Sequence, residues 1–349
     1  MRRAVKPLIL LACLLFCVPA SAQDVRLQES PSPVNARYVE PSATRKLQPG
    51  QKIGELVTRN LTQPYVLQRL TDRTYWVQRQ FYATIFYVGD RGVLLFDPLQ
   101  YRGEQLLKAV REVTTLPVTA IVYTHDHADH IGDVNVFVDE AAKSGRRLRI
   151  IASRATADKM SYLRSGHPRP TEIVSWPRGS FTFEGLRVEL HGFERAAHTD
   201  DHSAWLLTGE RVLHSPDLLN PDQLPFLHWA GSDNFAYLEA NLREADALDW
   251  NIFSGGHGNV GAKEDFAFTL QFIDDIKRAT TEASAKVQWG DYLNTRNGNN
   301  HAAYTGGYTE EVVKLTTNSL RPKYGRYYGF ESSVPGNVEM VMHALASYQ

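Results

Sequence analysis

Through the first two-thirds of the chain, apolar residues come in short runs bounded by turn-forming residues. Runs at 75–77, 84–88 and 92–96 predict strands, and residues 104–112 place Leu106, Leu107 and Val110 on one face of an amphipathic helix. Residues 118–123, Val-Thr-Ala-Ile-Val-Tyr, read as a buried strand, followed by a helix near 134–142 and a strand at 148–151. The second half repeats this order with strands at 181–183, 186–190, 203–207, 211–213 and 250–253. From residue 262 the spacing turns helical: 264–287 carries Phe266, Leu270, Ile273 and Ile276, and 310–315 and 338–346 read as further helix. Between them, 294–307 holds four asparagines and three glycines and predicts a loop. The order suggests two sheets packed together with helices outside, extended at the carboxyl end by a mostly helical segment. That gives an arm at 23–50, with Pro31, Pro33, Pro41 and Pro49, a main domain at 51–261, and an extension at 262–349 packed on it or forming a dimer interface.

The amino terminus bears on the compartment. Residues 1–6 are basic, residues 8–18 apolar, and Ala20-Ser-Ala22 offers small residues for cleavage, the order of a secretory signal peptide. The expected protein is therefore periplasmic or secreted, and residues 1–22 are set aside from the fold. Both cysteines, Cys13 and Cys17, fall inside that segment, so no disulfide or thiolate ligand is expected beyond it. Removing 1–22 takes three basic residues and no acidic ones, leaving 35 basic against 39 acidic, a net of about −4. Nothing in that balance points to nucleic acid or an anionic membrane surface, and no later apolar stretch has the length of a bilayer span. A small-molecule substrate is the expected partner, acted on by a monomer or homodimer.

The candidate chemistry begins where the 118–123 strand ends. Thr124-His-Asp-His-Ala-Asp-His-Ile-Gly132 packs His125, His127, Asp129 and His130 into six residues. Three imidazoles, a carboxylate and a glycine are poor core formers and good cation holders; nitrogen with oxygen donors suits zinc, iron or manganese. His125 and His127 can face one side of the turn and Asp129 and His130 another, so one loop could serve two ions. Downstream, His198, Asp217 and His257 each sit at a strand boundary, where side chains of different strands converge in one crevice.

On these motifs, over roughly residues 65–261, the chain resembles the metallo-β-lactamase superfamily. The resemblance implies an α/β fold, the αββα sandwich. It assigns His125, His127 and His198 to one metal, Asp129, His130 and His257 to a second, and Asp217 to a carboxylate bridge between them. It also makes Asp97, at the end of Val93-Leu-Leu-Phe-Asp97, a residue that orients a ligand or its loop. Two positions depart from the family pattern. Asp200-Asp201 stands where Pro-Gly is usual in the His198 motif, adding carboxylates near the site with a possible bearing on the substrate. Pro216 rather than glycine precedes Asp217.

Two divalent ions held by these groups would leave the cluster with about one net positive charge once a hydroxide joins Asp129 and Asp217. The reading is a dinuclear zinc hydrolase whose bridging hydroxide attacks a carbonyl, with Asp129 and Asp217 at the reacting centre. No G-x-S-x-G is present to supply a serine nucleophile. The apolar stretch 218–229 offers Phe226, His228 and Trp229 as walls, suiting a lactone or ester. β-Lactam hydrolysis is the alternative, though lactamases of this superfamily usually carry cysteine or serine where Asp217 stands. A mononuclear iron dioxygenase or a metal-binding protein without turnover are further readings.

Overall fold

The computed structural model describes residues 30–292 and 301–348. Residues 1–22, expected to form a signal peptide, lie outside them. Strand β1 (Arg37–Val39) pairs in parallel with β2 (Gln51–Ile53), and helix α1 (Leu56–Thr62) follows. A seven-stranded sheet then forms in sequence order from β3 (Val66–Arg69), β4 (Thr74–Arg79), β5 (Tyr82–Val88), β6 (Val93–Phe96), β7 (Val118–Tyr123), β8 (Arg149–Ser153) and β9 (Glu172–Val174). Its first four strands are antiparallel; from β6 onward neighbours are parallel. The crossovers carry α2 (Gly103–Val113), α3 (Ala128–Ile131), α4 (Val134–Lys143) and α5 (Arg154–Tyr162).

The second sheet has five strands, again in sequence order: β10 (Arg178–Phe183), β11 (Leu186–Gly192), β12 (Ser203–Leu207), β13 (Val212–His214) and β14 (Ile252–Ser254). Between β13 and β14 come the short turn α6 (Leu227–Gly231) and α7 (Leu238–Asp246); after β14 come α8 (Lys263–Ser284), α9 (His301–Tyr324) and α10 (Phe330–Tyr348).

Period-two alternation decides the layers. In β6, Leu94 and Phe96 face the second sheet, while Val93 and Leu95 face the helices; β12 sends Trp205 and Leu207 inward and Ala204 and Leu206 outward. Strands buried on both faces read as near-continuous apolar runs, as 120–123 does. Leu106, Leu107, Val110, Val134 and Phe137 of α2 and α4 cover the first sheet. Leu242 of α7, Phe266, Phe272, Ile273 and Ile276 of α8, and Val334 and Val338 of α10 cover the second. The result is the αββα sandwich. α8 sits directly on it, Phe266 meeting Phe253 edge-to-face at 4.9 Å.

One expectation needs correction. Residues 301–307, read as part of a loop, open α9; residues 293–300 lie outside the described residues. Tyr308 of this helix stacks on Trp289 at 5.2 Å, so a tertiary contact overrides the local glycine signal of Gly306 and Gly307. The described part of the amino-terminal arm lies against the domain: Leu47 N–H donates to Arg69 O and Ser32 Oγ to Asp222. Among the described residues no helix is long and apolar enough to cross a membrane.

Candidate metal centre

The site is built at the carboxyl ends of β6, β7, β13 and β14, where the layered sheets leave a crevice. β7 ends at Tyr123, and the chain leaves it through Thr124 and His125. His127, still extended at φ −115°, caps α3, whose single turn carries Asp129 and His130. Gly132 is required there by space: a Cβ would lie 2.5 Å from Ala128 O and 2.7 Å from Gln100 Cβ. Asp217 leaves β13 in the left-handed region at φ 65°, its N–H donating to Gly255 O. Aspartate tolerates that backbone better than branched residues do. Gly256, φ 78°, gives the second close approach: a Cβ would come within 3.0 Å of His130 Cε1.

The structure brings all seven predicted donors together. His125, His127, His198 and Asp217 form one group and Asp129, His130, Asp217 and His257 another, with the ligand atoms of each group within 4.8 Å of one another. Asp217 belongs to both. Its Oδ2 lies 2.9 Å from His130 Nε2, 3.3 Å from His198 Nε2 and 3.6 Å from His125 Nε2, and its Oδ1 lies 3.3 Å from His257 Nε2. His198 Nε2 and His127 Nδ1 approach to 3.1 Å.

The hydrogen bonds behind these rings fix which nitrogen faces the crevice. His257 Nδ1 donates to Phe81 O at 2.9 Å, leaving the Nε2 lone pair pointing to Asp217. The Thr124 hydroxyl donates to Asp97 Oδ2 at 2.7 Å, so its oxygen accepts from His125 Nδ1 at 3.1 Å. His125 Nε2 is then a buried lone pair without a hydrogen-bond partner. Such an orphan costs about 1–3 kcal/mol unless something ligates it. Asp97 also accepts the Thr124 N–H at 2.9 Å and lies 3.9 Å from His130 Nδ1 and 3.5 Å from His214 Nε2. It is fully buried and acts through the loop and rings it holds.

Electrostatics agree with a cation site. Burial, then the neighbouring His130, His198 and His127, push His125 well below the ordinary imidazole range, so it is neutral, the form that ligates. Burial would depress His130 too, but Asp217, Asp129 and Asp97 outweigh it and hold its pKa up at about 9. Burial opposes ionisation of Asp217, yet His130 and His198 keep its carboxyl well below the usual range. Three carboxylates around one point call for positive charge there. The neutral His125 imidazole beside the ionised Asp217 suits a divalent metal, and a metal bound at His130 would take the place of its proton.

Residues outside the seven donors support this centre. Asp201 is buried; its Oδ2 accepts the N–H of Asp126, between His125 and His127, at 2.7 Å, and its Oδ1 lies 3.0 Å from Lys159 Nζ. Asp200, 2.8 Å from Lys159, is exposed. Neither carboxylate lines the cavity, so the expectation that the pair bears on the substrate gives way to one of loop clamping. His202 donates from Nε2 to Pro216 O at 2.8 Å, and burial beside His198 lowers its pKa to about 3.

A cavity of about 450 Å³ opens over His127, Asp129, His198, Asp217 and His257. Phe226 lines it, as expected, and is 58% exposed at its rim. The other two proposed walls are corrected. His228, Trp229 and Ala230 all adopt left-handed backbone, φ 53°, 52° and 55°. This turns Trp229 into the core, 5.7 Å from the Phe272 ring, with its N–H donating to Asn337 Oδ1 and its Nε1 to Asn337 O. His228 lines a separate cavity of about 260 Å³ facing α10.

Residues 79–257, just over half the chain, match the sequence profile of the metallo-beta-lactamase superfamily, and the chain belongs to it. It is similar to a linear primary-alkylsulfatase of Pseudomonas sp. (36% identical over 294 residues, 69% of this chain and 54% of that one). It also matches the 2,4-dinitroanisole O-demethylase subunit alpha of a Nocardioides sp. (26% over 219 residues, 60% and 63%). The matches span only part of these relatives' lengths. Among solved structures, metallo-beta-lactamase IND-7 superimposes with a TM-score of 0.51 at 18% identity, covering 61% of this chain and 99% of that chain, a likeness of fold.

Proposed function

We propose that this chain is a metal-dependent hydrolase of a small ester or lactone, with two divalent ions, mainly zinc, held by the seven donors. The observation that carries this reading is that both donor groups share Asp217 on the floor of one cavity. Bound ions would supply a water of lowered pKa and polarise the oxygen of the scissile group. The protein's own residues do the rest. Asp217 sets the spacing of the groups, while Thr124, Asp97 and Phe81 O fix the ring faces of His125 and His257. Phe226, Leu227 and Phe81 give the cavity apolar walls that exclude water and hold the substrate's uncharged part, and Gln78, Gln80 and Asn220 offer polar contacts. Asp217 itself supports ester or lactone hydrolysis over β-lactam hydrolysis.

The match to an alkylsulfatase over 69% of the chain favours a second reading, cleavage of a sulfate ester. The basic, apolar and small-residue order of residues 1–22 supports action in the periplasm or outside the cell. A panel of lactone, carboxylic ester, thioester, β-lactam, phosphodiester and alkyl sulfate substrates, with elemental analysis, tests the proposal. Ester or lactone turnover that chelation abolishes and zinc restores is the expected result. Sulfate release alone selects the second reading, dominant β-lactam turnover selects a lactamase, and trace metal with no turnover overturns the hydrolase.

A further inference from the structure

A second cavity, about 430 Å³, adjoins the one over the metal centre. The two share Leu56, Val57, Phe81, Gln223, Gly258 and Tyr328 as lining, so they lie side by side against the same residues. To this outer chamber the amino-terminal part of the chain contributes Tyr38 of β1, the fully buried Ile53 of β2, and Leu61 of α1, which is 62% exposed at the rim. Its lining carries one charged side chain, Asp222, and that carboxylate is already occupied. Ser32 Oγ donates to it at 2.8 Å, Tyr38 Oη at 2.9 Å and Asn259 Nδ2 at 3.3 Å. The nearby ammonium of Lys52 is likewise taken, by Asp265 at 2.7 Å. The chamber therefore offers apolar wall and no free charge.

We infer that the outer chamber is the binding site for an uncharged, flexible apolar tail of the substrate, whose reacting group sits over the metal centre. This rests on the hydrolase reading for the reacting end and names the substrate class as an amphiphile. An isolated small lactone would leave the outer chamber unused. A methylene leaving water for an apolar wall tightens binding about fourfold.

The test is calorimetric titration of the full-length, zinc-loaded protein with straight-chain carboxylates from butanoate to decanoate, below their micelle concentrations. Decanoate is expected to bind at least about 100-fold more tightly than butanoate, the gain of three to four buried methylenes. Leu61→Asp, at an exposed helical position that tolerates polarity, should cut that ratio to under about tenfold, while Leu61→Phe should keep it. A ratio near one in the parent protein, or one that Leu61→Asp leaves intact, overturns the inference. Because binding is read directly, a chain-length gain without turnover of any panel substrate would sink the hydrolase reading while the tail site stands.

Discussion

Asp201→Ala tests whether a buried carboxylate, rather than the ligands alone, holds the two halves of the metal centre in register. Asp201 bridges the loop of His125 and His127 to that of His198: one oxygen takes the Asp126 N–H at 2.7 Å, the other lies 3.0 Å from Lys159 Nζ, and its side chain is 1% exposed. Removal leaves a part-buried amide without its acceptor, about 1–3 kcal/mol when no water replaces it. It also breaks a part-buried ion pair; a fully buried one costs about 3–5 kcal/mol when the remaining charge is stranded. Lys159 is not stranded, because Asp200 stays 2.8 Å away, so the ion-pair loss falls well short of that range. A destabilisation of about 3 kcal/mol is expected. Asp201→Asn keeps an oxygen for the amide and should cost about half as much. Asp200→Ala is the control: its side chain is 81% exposed, and its loss should stay within about 0.5 kcal/mol. Urea unfolding of zinc-free protein, with an unchanged slope, reads stability. Chelator competition reads zinc affinity, which should fall about 10–100-fold for Asp201→Ala as the supporting contact is lost. Equal effects of Asp201→Ala and Asp200→Ala in both assays would refute the clamp.

Three further outcomes are expected. Asp217→Ala should lower kcat about 100-fold or more and reduce zinc toward one ion per chain, measured by elemental analysis; two retained ions with normal turnover would make Asp217 a turn residue only. Asn337→Ala removes the acceptor of the Trp229 N–H and the donor to Pro225 O, both buried, and should cost about 2–4 kcal/mol in urea unfolding; a cost below about 0.5 kcal/mol would show that α10 does not hold the left-handed turn. Intact-mass measurement of exported protein should show residues 1–22 removed, whereas a retained terminus or a lipid on Cys13 would overturn the soluble exported form.

What the sequence made legible was what is local. His125, His127, Asp129 and His130 lie on one strand exit and one helical turn, so their spacing alone placed them. β7 and β12 announced themselves because strands buried on both faces are mostly apolar, broken here only by Thr119 and Ser203. Helix α8 showed as Phe266, Ile273 and Ile276 at helical intervals. The misses depended on distant partners. The inward turn of Trp229 is made by three non-glycine residues in left-handed backbone, supported by Asn337, 108 residues on, and by the Phe272 ring. The clamp of Asp201 depends on Lys159, 42 residues earlier, so its Asp-Asp pair looked like substrate chemistry. The start of α9 hid behind Gly306 and Gly307 because its support comes from Trp289.

The covering of the second sheet by α8 and α10 limits how the molecule can be dissected. The last metal donor, His257, lies well before the apolar residues that close the outer face of its own sheet, Phe266, Phe272, Ile273, Val334 and Val338. A chain cut at residue 261 would retain every donor and lose the roof over Leu206, Leu213 and Phe253. Chemical completeness and folding autonomy therefore have different minimum lengths here. Transplanting the seven-donor group into another scaffold would require carrying residues that lie outside it, and random truncation libraries should show folding lost downstream of the last donor.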